Sequence, residues 1–121
     1  MPSRKIVANA LAEVLRQISH PDRIRLLLKL QAGALTVNEL AEALEIPPTR
    51  VSQHLGVLRA VALVDTEAQA QKRVYRLSQP ELADWLIDGI DFVAHRLGRA
   101  SAADIERAKE LWQSEAMEPV S

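Results

Sequence analysis

Apolar residues recur every three or four positions along most of the chain, the spacing that gathers them on one side of an α-helix. This pattern predicts helices over about residues 6–18, 21–32, 36–44, 48–61, 81–97 and 102–114. Residues 63–77, between the fourth and fifth helices, have a different character, with β-branched and aromatic positions. We therefore predict a mainly α fold with one small β-hairpin.

The third and fourth helices are separated by a very short break. Thr36 can cap the third helix, because Glu39 follows three residues later in a capping-box pattern. Ile46-Pro47-Pro48 then forces an extended segment, since residues before proline avoid the helical region. Two amphipathic helices joined in this way predict a helix-turn-helix over residues 36–62.

The fourth helix has two chemically different sides. At 100° per residue, Val51, Leu55, Leu58 and Ala62 share one face. The other side carries small and polar residues, namely Thr49, Gln53, Gly56 and Ala60, with Arg50 and Ser52 on the shoulders. Gln can pair with adenine, Arg with guanine, and Ser or Thr with bases or phosphates. This side suits the floor of a DNA groove, and the alternative is a helix hairpin with an ordinary solvated surface.

Residues 63–67 and 72–77 are predicted to form two strands, joined by residues 68–71. The connection has no glycine, so the sequence does not define its turn. A hairpin that follows a helix-turn-helix is a wing, and Lys72, Arg73 and Arg76 could contact phosphates from it. The alternative is a solvated edge strand guarded by charges.

The 121 residues suffice for one compact domain, and 48% of them are hydrophobic. We predict a single domain over residues 1–121, in which residues 1–18 and 80–115 form dimerisation helices. Val7, Leu11 and Val14 give the first helix an apolar stripe, which can cover the core of its own chain or pack on a second chain.

Composition excludes several classes of function. The chain has no cysteine, which rules out disulfides, thiolate metal ligands and thiol switches. No apolar run approaches the ~18 residues of a membrane span, and no signal peptide is recognisable, so we expect no membrane partner and a cytoplasmic location. With no Gly-rich phosphate loop and three scattered histidines, the protein is not predicted to be an enzyme. The net charge of -1 gives no sign of nucleic-acid binding by itself, although basic side chains could still gather on one face.

The order of elements and four phrases resemble the ArsR/SmtB family of winged-helix repressors. The phrases are HPDRIRLLLKL, LTVNELAEAL, TRVSQHLGVLRAVALV and KRVYRL, which span Ser19 to Leu77. The resemblance implies a homodimer that binds double-stranded operator DNA and leaves it when a signal arrives. It implies base contacts at Thr49, Arg50, Ser52 and Gln53, the residues that helical geometry also selects. Lys72 and Arg73 are the expected wing contacts, and His54 is expected to face the core.

The resemblance also implies where a metal signal would bind. The Cys-x-Cys site of many members is absent here, and the family's positions around the fifth helix fall on Gln79, Glu81, Phe92 and His95. Phe92 cannot ligate a metal, while zinc takes about four ligands, which favours a degraded site. Asp88, Asp91 and His95 form another carboxylate–imidazole group, for which a solvated acidic face is the simpler interpretation. We predict no cofactor, and Glu81, Asp88, Asp91 and His95 are the residues that any metal would use.

Two alternatives remain open. The chain could be an effector-sensing module with a ligand in a dimer cleft lined by Trp85, Phe92, His95 and Trp112. It could also be a protein-interaction winged helix with weak or no DNA binding, which the near-neutral charge and the missing wing glycine would fit. The preferred hypothesis is a repressor that responds to a signal not involving cysteine.

Overall fold

The computed structural model describes residues 2–97, 106–107 and 109–110. Its helices are α1 (Pro2–Ile18), α2 (Pro21–Lys29), α3 (Val37–Leu44), α4 (Pro48–Ala60) and α5 (Glu81–Leu97). A 3₁₀ turn over Leu30–Ala32 follows α2. Its strands are β1 (Leu35–Thr36), β2 (Val64–Gln69) and β3 (Lys72–Leu77). None of the helices in this part of the chain combines the length and the apolar character that a membrane crossing requires.

This architecture confirms the predicted mainly α fold. The predicted start of the first helix at residue 6 was wrong, because α1 begins at Pro2. Residues 2–5 contain no apolar periodicity, but proline is well tolerated in the first turn of a helix. The predicted sixth helix and Trp112 lie outside the described residues, apart from residues 106–107 and 109–110, which are helical.

The core is aliphatic and lies between α2, α3, α4 and the start of β2. Its most deeply buried side chains are Leu26, Leu27, Leu28, Leu40, Val51, Leu55, Leu58 and Val64. Three consecutive leucines in α2 are buried, so α2 is enclosed on most sides. Burying each such side chain contributes roughly 1.5–3 kcal/mol. The core therefore fixes one side of α4 and leaves the other side free.

The break between α3 and α4 follows the predicted pattern. Thr36 Oγ1 accepts a hydrogen bond from the Glu39 amide at 3.1 Å, and Glu39 Oε1 accepts one from the Thr36 amide at 2.9 Å, which completes the capping box. Helix α3 ends at Leu44 and is followed by Glu45, whose φ of 58° and ψ of 45° are left-handed. Ile46 then donates its amide proton to Ala41 O at 3.1 Å and turns its side chain into the core.

Helix α4 ends in a Schellman motif that feeds the chain into β2. Ala62 has a φ of 61°. Its amide donates to Arg59 O, and the amide of Leu63 donates to Leu58 O, both at 3.0 Å. These two bonds satisfy carbonyl groups that the end of a helix otherwise leaves unpaired.

The hairpin is tighter than predicted, and the sheet is larger. Strand β2 extends to Gln69, which pairs with Lys72, so the predicted strand over residues 63–67 and four-residue connection over residues 68–71 were wrong. The two-residue turn closes because Ala70 adopts a φ of 57°, a conformation usually left to glycine. The third strand, β1, was not predicted; it pairs with β3 in the order β1-β3-β2, and two residues are too few to show alternation.

Helices α1 and α5 expose seven large apolar side chains, which together we call the apolar strip. Its members are Ile6, Val7, Leu11 and Leu15 on α1, with Trp85, Phe92 and Val93 on α5. Between the two helices lies an open groove of about 870 Å³, lined mainly by apolar residues such as Leu15, Trp85 and Val93. A surface of this kind marks an interaction site more often than a solvated face.

Candidate nucleic-acid interface

The predicted reading side of α4 is exposed. Val51, Leu55 and Leu58 are fully buried on the opposite side. The four predicted contact residues are all exposed, namely Thr49, Arg50, Ser52 and Gln53. Within the described residues, none of these four side chains forms a hydrogen bond or an ion pair with the protein. Their donors and acceptors are therefore available to a partner.

Two arginines of α2 connect that helix to its neighbours. Arg25 Nη2 donates to Leu44 O at 2.8 Å and so satisfies a carbonyl at the end of α3. Arg23 Nη1 donates to Gln17 O at 2.9 Å near the end of α1, and its Nε donates to His54 Nδ1 at 3.2 Å on α4. The angle at which α4 presents its exposed side is thus held by polar contacts as well as by the core.

His54 faces the interior, as helical geometry predicted, and is only 8% exposed. Its Nε2 lies 3.9 Å from Asp22 Oδ2, and this nitrogen has no hydrogen-bond partner within the described residues. Burial lowers the pKa of His54 below its ordinary value. Electrostatic interactions with His20, Arg23 and Arg50 lower this pKa further, while Asp22 acts in the opposite direction. The ring is therefore neutral at neutral pH.

His20 completes a polar cluster that the sequence analysis missed. Its Nδ1 accepts a hydrogen bond from the Asp22 amide at 3.0 Å and caps α2. Its ring lies 4.5 Å from the ring of His54, centroid to centroid. More than 30 residues separate His20 from His54 in the chain, so no local spacing could have indicated the contact.

Among the described residues, His20, Asp22 and His54 are the only group of three metal-type side chains with ligand atoms within 4.8 Å of one another. Ligands of a tetrahedral zinc ion lie closer, about 3.4 Å apart. Nδ1 of both rings accepts an N–H bond, which leaves the proton of each neutral ring on Nε2. A metal at Nε2 would require the proton of the ring to move to Nδ1. That would break the hydrogen bonds that the Asp22 amide and Arg23 Nε donate to the two Nδ1 atoms, beside the positive charge of Arg23. The geometry favours a hydrogen-bond network.

The wing presents its two predicted contacts at the tip of the hairpin. Lys72 and Arg73 are exposed, and Arg73 Nη1 lies 3.4 Å from Thr66 Oγ1. Arg76, also considered for this role, is paired with Glu67 at 2.7 Å. Side chains alternate along a strand, so Lys72 and Arg76 point to one face of the hairpin and Arg73 to the other. Arg73 stays the leading predicted wing contact, while the charge of Arg76 is paired with that of Glu67.

The wing tip lies near the start of α3. Hydrogen bonds from the Thr36 backbone and side chain lower the pKa of Glu39, and the positive charge of Lys72 adds to this effect. Lys72 and the capping box are thus close enough to interact electrostatically.

The structure does not bring the four proposed metal residues of α5 together. His95 Nδ1 lies 3.5 Å from Asp91 Oδ1, and Lys109 Nζ lies 3.5 Å from Asp91 Oδ2. Glu81 precedes Asp91 by ten residues, about 15 Å along a helix. Within one chain, therefore, Asp91 and His95 lie close together, but Asp91 also forms an ion pair with Lys109. The absence of a cofactor stays a prediction.

Comparison with known proteins finds relatives of this chain and of its fold. A family described as a helix-turn-helix domain matches residues 18–67. The HTH-type transcriptional repressor SmtB of Mycobacterium tuberculosis is 37% identical over 89 residues, covering 74% of this chain and 65% of the relative. This chain thus spans just under two thirds of that repressor. The biofilm growth-associated repressor of Agrobacterium fabrum is 36% identical over 83 residues, covering 69% of this chain and 71% of the relative.

A solved structure has a similar fold. The crystal structure of the transcriptional repressor BigR from Xylella fastidiosa superposes with a TM-score of 0.63 at 33% identity. The superposition covers 70% of this chain and 87% of that one. The wing and the exposed side of α4 thus occur on a fold that is found in a transcriptional repressor.

Proposed function

This chain belongs to the ArsR/SmtB family of winged helix-turn-helix transcriptional regulators, and on that premise we propose that it is a homodimeric repressor of operator DNA. The observation that carries the proposal is the two-sided helix α4. One side is fixed in the core, while the other presents Thr49, Arg50, Ser52 and Gln53 without partners inside the described protein. Regulators of this family are not enzymes, and this role includes no catalytic step.

In a helix-turn-helix, the first turns of the second helix contact base edges in the major groove. Gln53 is suited to adenine and Arg50 to guanine, while Thr49 and Ser52 can bond bases or phosphates. Gly56 is also exposed and has no atom within 4 Å of the position a Cβ would occupy, so the helix has no side chain there to hold it away from DNA. Lys72 and Arg73 of the wing would contact phosphates and hold the register.

The homodimer is supported by the apolar strip on α1 and α5. A soluble chain gains by covering so many exposed apolar side chains, and a second copy offers a matching surface across a two-fold axis. Two recognition helices would then meet successive major grooves about 34 Å apart. The role requires access to DNA, and we propose the cytoplasm as the location.

The signal that releases the DNA does not involve cysteine, because the chain has none. A second candidate function, effector sensing, is favoured by one observation, the open groove beside Trp85. Trp85 is 44% exposed there, so its fluorescence would report a ligand or a partner chain. Fluorescence that changes with ligand at constant oligomeric state would support an effector site.

The repressor proposal is tested by a gel-shift titration on the promoter of the protein's own gene, with random DNA of equal length as competitor. Gln53→Ala should relax sequence preference by about 1–3 kcal/mol. Arg73→Ala should weaken binding to all sequences and reduce the salt slope by about one. Arg76→Ala is the matched control: it removes a positive charge that is already paired with Glu67 and should leave the slope nearly unchanged. Equal binding to promoter and random DNA would contradict the proposal and favour a protein-interaction module.

A further inference from the structure

One polar contact lies between the core and the reading side of α4. Arg23 donates to Gln17 O near the end of α1 and to His54 Nδ1 on α4, so a single side chain joins three helices. His54 directly follows Gln53, the residue proposed to read adenine. The contact therefore lies next to a predicted reading residue.

The contact requires a neutral ring at His54. Nδ1 can accept the Nε–H of Arg23 only while it carries a lone pair. Protonation would place an N–H on Nδ1, opposite the N–H of a guanidinium that stays charged. The hydrogen bond would then become a contact between two donors and two positive charges.

A second partner is available to the protonated ring. Asp22 Oδ2 lies 3.9 Å from His54 Nε2, and the same carboxylate lies 3.6 Å from Arg25. The groups that face the ring are therefore Asp22 and Arg23 from α2, His20 from the turn before α2, and Arg50 from α4 itself. A protonated ring would move away from Arg23 and towards Asp22. His54 thus has one partner in each of its two protonation states.

We propose that Arg23 and His54 are positioning residues for DNA reading: their hydrogen bond sets the orientation of α4 while the ring is neutral, and protonation of the ring releases operator DNA. This inference rests on the proposed DNA-binding function. The buried Nε2 of His54 has no hydrogen-bond partner within the described residues, and Asp22 Oδ2, 3.9 Å away, is the acceptor toward which the charged ring can move. Acid would thus weaken sequence-specific binding, although added positive charge ordinarily strengthens binding to DNA.

The test measures the ratio of affinities for the promoter fragment and for random DNA between pH 7.5 and 5.0. The protein gains positive charge as the pH falls, and this gain affects both affinities in the same way, so it cancels in the ratio. For the wild type we expect it to fall by roughly five- to ten-fold, the loss of about one hydrogen bond. His54→Gln keeps an acceptor for Arg23 and cannot titrate in this range, so its ratio should stay flat whatever its absolute affinity. His95→Gln removes an exposed histidine, and its affinity ratio should change with pH in the same way as that of the wild type. The same profile for wild type and His54→Gln would overturn the inference.

An NMR titration separates failure of this inference from failure of the repressor proposal. The ring signals of His54 give its pKa directly, and Arg23→Met should raise that pKa because it removes both a positive charge and the donor to the neutral ring. Amide signals of α4 should shift with the protonation of His54 in the wild type and not in His54→Gln. A His54 pKa unaffected by Arg23→Met would overturn the inference even if the promoter is bound, and the expected NMR shifts would support it even if the promoter is not.

Discussion

Ala62 occupies the position after α4 where glycine is usual, with a φ of 61°. A left-handed conformation costs a residue with a Cβ about 1–2 kcal/mol, whereas glycine adopts it freely but loses more entropy on folding. Ala62→Gly should therefore raise the free energy of unfolding by about 0.5–1 kcal/mol in urea denaturation. Ala60→Gly, at the last residue of α4, is the control and should lower it, because glycine loses more entropy on folding and gains nothing at a right-handed position. Destabilisation by both substitutions would contradict the left-handed conformation of Ala62.

A substitution at Gly56 is expected to have opposite effects on stability and on DNA binding. Because a Cβ added there meets no atom within 4 Å, Gly56→Ala should stabilise the protein by about 0.5–1 kcal/mol through helix propensity. The same methyl group would stand on the side that faces DNA, so we expect promoter affinity to fall. Denaturation and gel shift on one preparation check both effects. A stabilised variant with unchanged affinity would mean that Gly56 does not approach the DNA.

Single positions on α4 could be predicted because a helix has a fixed geometry. The angle per residue was sufficient to put Val51 inside, Gln53 outside and His54 toward the core. The contacts of His54 could not be predicted. Its partner Arg23 is 31 residues away, and only the packing of α2 against α4 brings the two together.

At the scale of elements, the capping box gives α3 its start. Thr36→Ala removes the hydroxyl that accepts from the Glu39 amide and should lower the free energy of unfolding by about 1 kcal/mol. Thr49→Ala is a matched control, because Thr49 is exposed and its side chain forms no hydrogen bond within the described residues. Thermal unfolding of the two variants should differ clearly. An equal effect would mean that the cap contributes nothing to stability.

The capping box also predicts a pH dependence. The pKa of Glu39 is lowered by its hydrogen bonds with Thr36, so the folded protein binds this proton less tightly than the unfolded chain does. The stability that it contributes is complete above the ordinary pKa of 4.5 and is lost as pH falls through the folded value. Glu39→Gln should therefore flatten the acid side of the stability profile. An unchanged profile would rule out a contribution from Glu39.

Elements differed in how well the sequence predicted them. The helix breaks at Thr36 and at Ile46-Pro47-Pro48 were predicted because their local chemistry decides the structure. The hairpin turn was not, because Ala70 adopts a backbone conformation that its side chain disfavours and only strand pairing stabilises. Strand β1 was missed because its pairing with β3 is non-local.

For the whole molecule, the apolar strip predicts self-association. Phe92 is 63% exposed on α5, and Phe92→Glu would place a charge within the proposed interface. We expect the dissociation constant of the dimer to rise by at least about 30-fold, the effect of losing one hot spot. Analytical ultracentrifugation measures this change. Gln79→Glu adds the same charge before the start of α5 and should leave the dimer intact; a monomeric wild type would contradict the interface itself.

The apolar strip affects how DNA binding depends on the concentration of the protein. If two chains must join before either can hold an operator, the concentration of the competent form rises with the square of total protein while monomers predominate. Each gene copy would then respond to the regulator over a narrower range of abundance than simple one-to-one binding allows. Seven exposed side chains on α1 and α5, none of which belongs to the reading surface, would thereby set how sharply transcription changes with the amount of protein.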